Sequence, residues 1–329
     1  MIFLYIGLGL LVLYIVFCAA STHIAYKTHF YHRGDGNLHV IYSYTYPDLE
    51  REKISFKNSK GATLYGFIYR KKEYNKPYKS ILIIQHGLGG GHAYLMPTIQ
   101  YFASRGYLVI GYDQYACCTS EGKNMIGLCQ GVLDLKSLYC YIKNREDLAN
   151  YKIDIFGHSW GGYAAGSILC DRDVELNHVF IASGFNNEPS TFVGSSRFTY
   201  SFLWMVYLRN FLRFGKVAFY SIEKGVKKNR NSRIFYIQGS HDNVIKPKYA
   251  GYKFEKLANK YKNLDVLMVE NKGHAPYVSR KSQKAQDELI AQLGITVAGH
   301  VPYDKVFYYD DCSEIDDNIY SQILSFYEK

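Results

Sequence analysis

The chain has 329 residues, 48% of them hydrophobic, and a formal net charge of +10 from 39 Lys and Arg against 29 Asp and Glu. That composition can bury a sizeable core, so it excludes a disordered polyelectrolyte, and seven prolines with no low-complexity stretch leave little room for a long linker. The basic residues are scattered, as in GVKKNRNSR (225–233) and YKFEKLANKYK (252–262), with no nucleic-acid-binding signature, so they read as solvated faces or a surface beside anionic lipid.

The first element is MIFLYIGLGLLVLYIVFCAA, with no charged side chain from Met1 to Ala20. Twenty helical residues at about 1.5 Å each match a bilayer core of about 30 Å, so residues 1–22 are expected to form a single-pass membrane anchor. A signal peptide cut after Ala20, giving a secreted protein, is the alternative; a basic start is missing, which argues against it. Lipidation at Cys18 is disfavoured by the bulky Phe17 before it. Lys27, Arg33, Arg51 and Lys53 follow the apolar run, and the positive-inside bias then points the rest of the chain to the cytoplasm. Adjacent Cys117 and Cys118, with Cys129, Cys140, Cys170 and Cys312, show neither a disulfide framework nor metal-ligand spacing, which fits a reducing compartment and no metal.

From about residue 50, strand-like and helix-like stretches alternate. KISFKN and TLYGFIYRKK read as a hairpin, SILIIQHG as a strand, HAYLMPTIQYFASRGY as a helix and LVIGYD as a strand. IGLCQGVLDLKSLYCYIK follows as a helix, then strands at YKIDIFG, HVFIASG, RIFYIQG and LDVLMVE, and a closing helix in IDDNIYSQILSFYEK. Such alternation predicts an α/β domain over residues 50–329, its mostly parallel sheet covered by helices on both faces. Ligands bind at the carboxyl ends of such strands, so the loops there are where chemistry is expected.

DIFGHSWGGYA (154–164) sits at one such end. Gly-x-Ser-x-Gly alone decides little, but here an apolar strand precedes it, and Trp160, Tyr163, Ala164, Ile168 and Leu169 follow at helical spacing. Ser159 is therefore expected on a sharp strand-to-helix turn, with Gly157 and Gly161 where the backbone is too tight for side chains. Serine is a poor nucleophile unless an imidazole takes its proton and a carboxylate orients that imidazole. Asp242 follows RIFYIQG and His274 follows LDVLMVE, each on a strand-end loop, in the chain order Ser, Asp, His. His241 and Glu270 are the local competitors, and His158 reads as pocket lining. Two backbone N–H groups must hold a developing oxyanion; the candidates are those of Trp160 and of Leu88, within His86-Gly87-Leu88-Gly89-Gly90-Gly91.

With those four motifs in view, QHGLGGG, GHSWGG, GSHDNVIKP and NKGHAP, the chain resembles the α/β-hydrolase fold, nearest its serine aminopeptidase-like and monoacylglycerol-lipase-like branch. The resemblance implies Ser159 as nucleophile, His274 as general base, Asp242 as its acid, Leu88 and Trp160 as oxyanion donors, a helical lid inserted at about 185–232, and no cofactor. Two features depart from it. DQYACCTSEG puts Tyr115, Ala116 and Cys118 where Arg and two glycines are expected, and residues 277–312 are longer than the usual link and carry no functional account. The 185–232 stretch is rich in aromatic side chains, including Phe192, Trp204, Phe211 and Phe214, hydrophobic nearly all round a helix; it reads as a buried helix or as an apolar lid facing an acyl pocket or a bilayer.

The expected activity is a serine hydrolase cleaving a carboxylic ester, lipid-like in its acyl group, through an acyl-enzyme. A peptidase or amidase of the serine aminopeptidase type is the alternative within the class; a non-catalytic membrane-tethered interaction module is the alternative outside it. The expected partners are the ester substrate and the membrane, with no nucleic acid.

Overall fold

The computed structural model describes residues 1–34, 46–192, 197–293 and 310–329. Helix α1 (Ile2–His29) comes first, then the hairpin β1 (Leu49–Lys57) and β2 (Thr63–Lys71), β3 (Ile81–Gln85), α2 (Met96–Ala103), β4 (Leu108–Tyr112), α3 (Cys129–Lys143), β5 (Ile153–His158) and α4 (Trp160–Ser167). After β6 (His178–Ala182) come α5 (Glu188–Phe192), α6 (Leu203–Phe214) and α7 (Ile222–Lys228), then β7 (Arg233–Gly239), α8 (Gly251–Ala258), β8 (Leu264–Val269), α9 (Arg280–Leu293), α10 (Asp310–Ser313) and α11 (Asp317–Tyr327).

The eight strands make one sheet in the order β1-β2-β4-β3-β5-β6-β7-β8, parallel from β4 to β8 and antiparallel at β1 and β2. Strands β3, β4 and β6 are buried at every residue, as a parallel sheet covered on both faces demands. The period of two divides their side chains between two cores. Ile81 and Ile83 point to the face covered by α3, α4, α7 and α8, while Leu82 and Ile84 point to the face covered by α2 and α11. Tyr320 and Tyr327 seal that second face, with hydroxyls bonded to Thr98 Oγ1 at 2.5 Å and to the carbonyl of Ile155 at 2.8 Å.

Part of the 277–312 stretch now has a structural role. Ser279 Oγ donates to Glu314, Lys272 Nζ to Asp316 at 2.9 Å, and Val278 bridges Ile315, so the residues just before α9 are joined to those just before α11. The remainder of that stretch, 294–309, lies outside the described residues.

Two expectations need correction. The N-terminal helix runs past the 1–22 segment to His29, and it is not free of the domain: Cys18, Thr22 and Tyr26, spaced by four, are buried against the 185–232 insertion. Tyr26 Oη donates to the wholly buried Glu188 at 2.5 Å and lies 3.0 Å from Asn210 Oδ1, with the Arg209 guanidinium 3.3 Å above its ring. Glu188 in turn accepts from the backbone N–H of Cys129, at the first turn of α3. Helix α6, in turn, is not a buried helix: it buries Val206, Asn210 and Phe214, and leaves the apolar Trp204, Leu208, Phe211 and Leu212 exposed. Trp204 and Phe211 therefore do not line an enclosed acyl pocket.

Tyr26→Phe keeps the ring contacts and deletes the hydroxyl, leaving a buried carboxylate short of a donor. It is expected to lower the stability of the detergent-solubilised chain by about 1–3 kcal/mol. A thermal midpoint equal to that of the parent chain would show that the clamp holds nothing.

Candidate active site

Strand β5 delivers the chain into a turn that only a few contacts permit. Ser159 has φ 54° and ψ −114°, a left-handed conformation that is costly for a residue with a Cβ and is held only where surroundings over-determine it. Its N–H donates to the carbonyl of Ala182 at 2.8 Å, and its carbonyl accepts from Tyr163 at 2.9 Å, so both sides of the turn are fixed. Gly161 is required by approach: a Cβ there would lie 2.0 Å from the carbonyl oxygen of Gln85. At Gly157 it would lie 2.6 Å from the carbonyl of Gly161. The serine side chain stands half-exposed at the first turn of α4.

Two neighbouring strands bring the other groups. Asp242 is buried beyond the end of β7; Oδ1 accepts from the N–H of Val244 and Ile245, both at 2.9 Å, and Oδ2 from Gln238 Nε2 at 3.1 Å. His274 Nδ1 donates to the same carboxylate, at 3.1 and 3.0 Å. Burial pushes the Asp242 carboxyl up, but the hydrogen bond and charge of His274, with the Ile245 N–H and Gln238, outweigh it and hold the group below its ordinary value. A proton fixed on Nδ1 leaves Nε2 of His274 as the basic nitrogen. The loops carrying the two residues touch: a Cβ on Gly239 would lie 2.1 Å from the carbonyl of Lys272.

His158 is the residue whose part was underestimated from sequence. Its Nε2–H donates to the carbonyl of His274 at 3.1 Å and its ring lies 5.0 Å from that of His274, so it ties the histidine loop to the strand that carries Ser159. Burial first, then the charge of His274, pushes its pKa down to about 3, so at neutral pH it is an uncharged spacer and no base. His241 and Glu270 are exposed; His241 Nδ1 meets only Ser240 Oγ, at 3.1 Å. Ser159 Oγ makes no hydrogen bond to His274 or to any other described residue in this state.

The loop after β3 approaches the serine from the other side, since a Cβ on Gly87 would lie 3.4 Å from Ser159 Cβ. His86 anchors it: Nδ1–H donates to the carbonyl of Gly87 at 2.8 Å, and Nε2 accepts from the N–H of Gln114 at 3.0 Å. Burial pushes the His86 pKa down to about 4, against the charge of Asp113. The backbone N–H groups of Leu88 and Trp160 donate to no described residue, which leaves both free for an incoming oxygen.

DQYACCTSEG departs from the resemblance in its side chains and keeps the backbone hand. Ala116 (φ 57°) and Cys118 (φ 40°) adopt the left-handed conformation at the two positions where glycines were expected. Asp113 holds the loop, accepting from His92 Nδ1 at 2.8 Å and from Thr119 Oγ1 at 2.6 Å, while Ser120 Oγ donates to its carbonyl. Residue choice alone could not show this, because the strain is offset by contacts distant in sequence. Among the described residues, no three His, Cys, Asp or Glu side chains gather as a metal ion would need.

Comparisons with known proteins agree with this architecture. The prolyl oligopeptidase family matches residues 130–293. A proline iminopeptidase of Saccharolobus solfataricus is 27% identical over 139 residues, which are 41% of this chain and 42% of that protein, so the match spans less than half of the relative's length. Among solved structures, an esterase of Pyrococcus furiosus superposes with a TM-score of 0.57 at 18% identity, over 80% of this chain and 97% of that one. A Klebsiella pneumoniae protein assigned as a dienelactone hydrolase superposes at 0.54 and 12% identity, over 85% and 99%.

The imidazoles of buried His86 and half-buried His158 make stability depend on pH. In the unfolded chain they bind protons near pH 6.5, whereas folded His86 and His158 do so only near 4 and 3. Between pH 6.5 and 4 the unfolded state therefore holds up to about two more protons, and stability falls as pH falls. The thermal midpoint is expected to drop steadily across that window, and His158→Gln to flatten the drop by about half. A midpoint independent of pH from 6.5 to 4.5 would contradict the assigned protonation.

Proposed function

We propose that the chain, whose sheet and helices have the α/β-hydrolase fold, is a serine hydrolase that cleaves a carboxylic ester, with a lipid-like acyl group, through an acyl-enzyme. The observation that carries the reading is the strained Ser159 turn set beside the Asp242–His274 pair on adjoining strand ends. Ser159 Oγ attacks the ester carbonyl while His274 Nε2 takes its proton; the oxyanion accepts hydrogen bonds from the Leu88 and Trp160 N–H groups. The intermediate collapses as His274 returns the proton to the departing alcohol. A water, deprotonated by His274, then releases the acid and restores Ser159. Asp242 keeps the imidazole in the reactive tautomer throughout and stabilises its cationic form.

Peptide cleavage is the second reading, favoured by the prolyl oligopeptidase match and the iminopeptidase relative. A peptidase that reads a free N-terminus needs a carboxylate for the substrate ammonium. Here the buried carboxylates near the strand ends are engaged: Asp242 with His274, Asp113 with His92 and Thr119, Glu188 with Tyr26 and Cys129, and Asp134 with Tyr115, Gln130 and Asn58. That supports an acyl group without an ammonium. We also read α1 as a retained membrane anchor. It is long and apolar enough to cross a bilayer, and removal of residues 1–20 would strip Tyr14 and Cys18 from their contacts on the insertion.

A fluorophosphonate is expected to label the chain at Ser159 alone, and Ser159→Ala to remove the label. Asp242→Asn and His274→Ala are each expected to lower kcat by about a thousandfold or more. Comparison of kcat/KM for a series of acyl esters and an aminoacyl amide separates the readings: faster amide turnover would overturn the ester assignment, and labelling that survives in Ser159→Ala would overturn the mechanism.

A further inference from the structure

The C-terminal half of α1 lies on the domain, and its contacts begin inside the apolar run. Tyr14 Oη donates to the carbonyl of Ser201 at 2.6 Å, its ring lies 6.4 Å from that of Trp204, and Cys18 Sγ lies 3.6 Å from the same carbonyl. Six residues separate Tyr14 from Ala20, a rise of about 9 Å along a helix. A helix that crosses a bilayer with residues 1–20 therefore carries the start of the insertion down with it, to a depth well below the headgroups on that side.

The surface found at that depth is apolar. Trp204, Leu208, Phe211 and Leu212 form one stripe along α6, at i, i+4, i+7 and i+8, opposite the buried Val206, Asn210 and Phe214. Leu212 is 75% exposed and Trp204 40%, and Tyr200, just before α6, is also exposed. Charge stands beside the stripe: Arg213 and Lys216 follow at the end of α6, and an adjoining cleft of about 550 Å³ carries Lys216, Lys224, Lys228 and Arg172 against Asp171 and Asp173, a net positive lining. Aromatic and aliphatic side chains flanked by lysine and arginine are the composition that seats in the acyl-headgroup boundary of an anionic leaflet.

We propose that the Trp204–Leu212 face of α6 is seated in the lipid bilayer beside α1, so that the anchor and the insertion form one membrane-contacting unit. The occupant is the bilayer, because the stripe is continuous through Tyr14 and Trp204 with the one described helix apolar and long enough to cross it. The inference rests on α1 crossing the membrane and is independent of the hydrolytic reading.

The two tryptophans provide the test. Trp160 is buried beneath the serine turn, and Trp204 lies on the stripe. The full chain, purified with residue 1 confirmed by N-terminal sequencing, is reconstituted in phosphatidylcholine–phosphatidylserine vesicles with and without lipids brominated in mid-chain. Brominated lipid is expected to reduce the emission about twofold, and aqueous iodide to leave it almost unchanged, as for an indole at the membrane boundary. In Trp204→Phe, with its fold checked by circular dichroism, the effect of bromine is expected to vanish. Quenching of Trp204 by iodide and not by brominated lipid would overturn the proposal, and so would protection from both, which would mean that protein covers the stripe. Ser159→Ala gives the same readout, so loss of hydrolysis and loss of membrane seating are distinguishable.

Discussion

The ends of β3 and β5 and the first turn of α4 come so close that no side chain fits between them. A Cβ at Gly161 would sit 2.0 Å from the Gln85 carbonyl oxygen and one at Gly157 2.6 Å from that of Gly161, while Gly87 comes within van der Waals contact of Ser159. This approach forces the chain to turn within a single residue, which puts Ser159 into a left-handed conformation. It also brings the glycine-rich loop beside the serine, so two backbone N–H groups and a hydroxyl converge without any side chain having to reach far. Packing of the sheet against α4 and of the Asp242 loop against the His274 loop supplies the energy that holds the turn.

Around that turn the protein manages charge by burial. His86 and His158 are kept neutral because the interior disfavours their cationic forms, and each is fixed in one tautomer by a backbone carbonyl. Asp242 is the opposite case, a buried carboxylate held ionised by donors on every side. Uncharged imidazoles beside the ionised Asp242 carboxylate leave His274, bonded to that carboxylate, as the group in this cluster placed to exchange a proton with Ser159.

Helix α1 changes how the domain relates to its surroundings. Joined through Tyr26 to Glu188 and through Glu188 to the first turn of α3, it is packed like any other helix of the fold over its last turns. The same packing places the exposed stripe of α6 beside the apolar half of α1, where Tyr14 meets Ser201 and Trp204, so in the proposed membrane-bound reading helix and domain share one orientation.

The sequence by itself determined the alternation of strands and helices, the β1–β2 hairpin, the position of Ser159 at a strand-to-helix turn, and the loops bearing Asp242 and His274. These are local patterns: periodicity of two or 3.6, and glycines where a backbone turns sharply. Tertiary structure alone decided the rest. Ala116 and Cys118 take glycine's conformation in a loop held by His92 on Asp113, by the Gly34 N–H on the Ala116 carbonyl and by Arg33 on the Cys118 carbonyl, and no local preference predicts strain offset from so far along the chain. His158 became a tie between two loops because His274, 116 residues away, presents a carbonyl to it. The outward stripe of α6 and the docking of α1 were equally hidden. Which side of an aromatic-rich helix faces protein depends on what packs against it, and that partner, α1, lies far back along the chain.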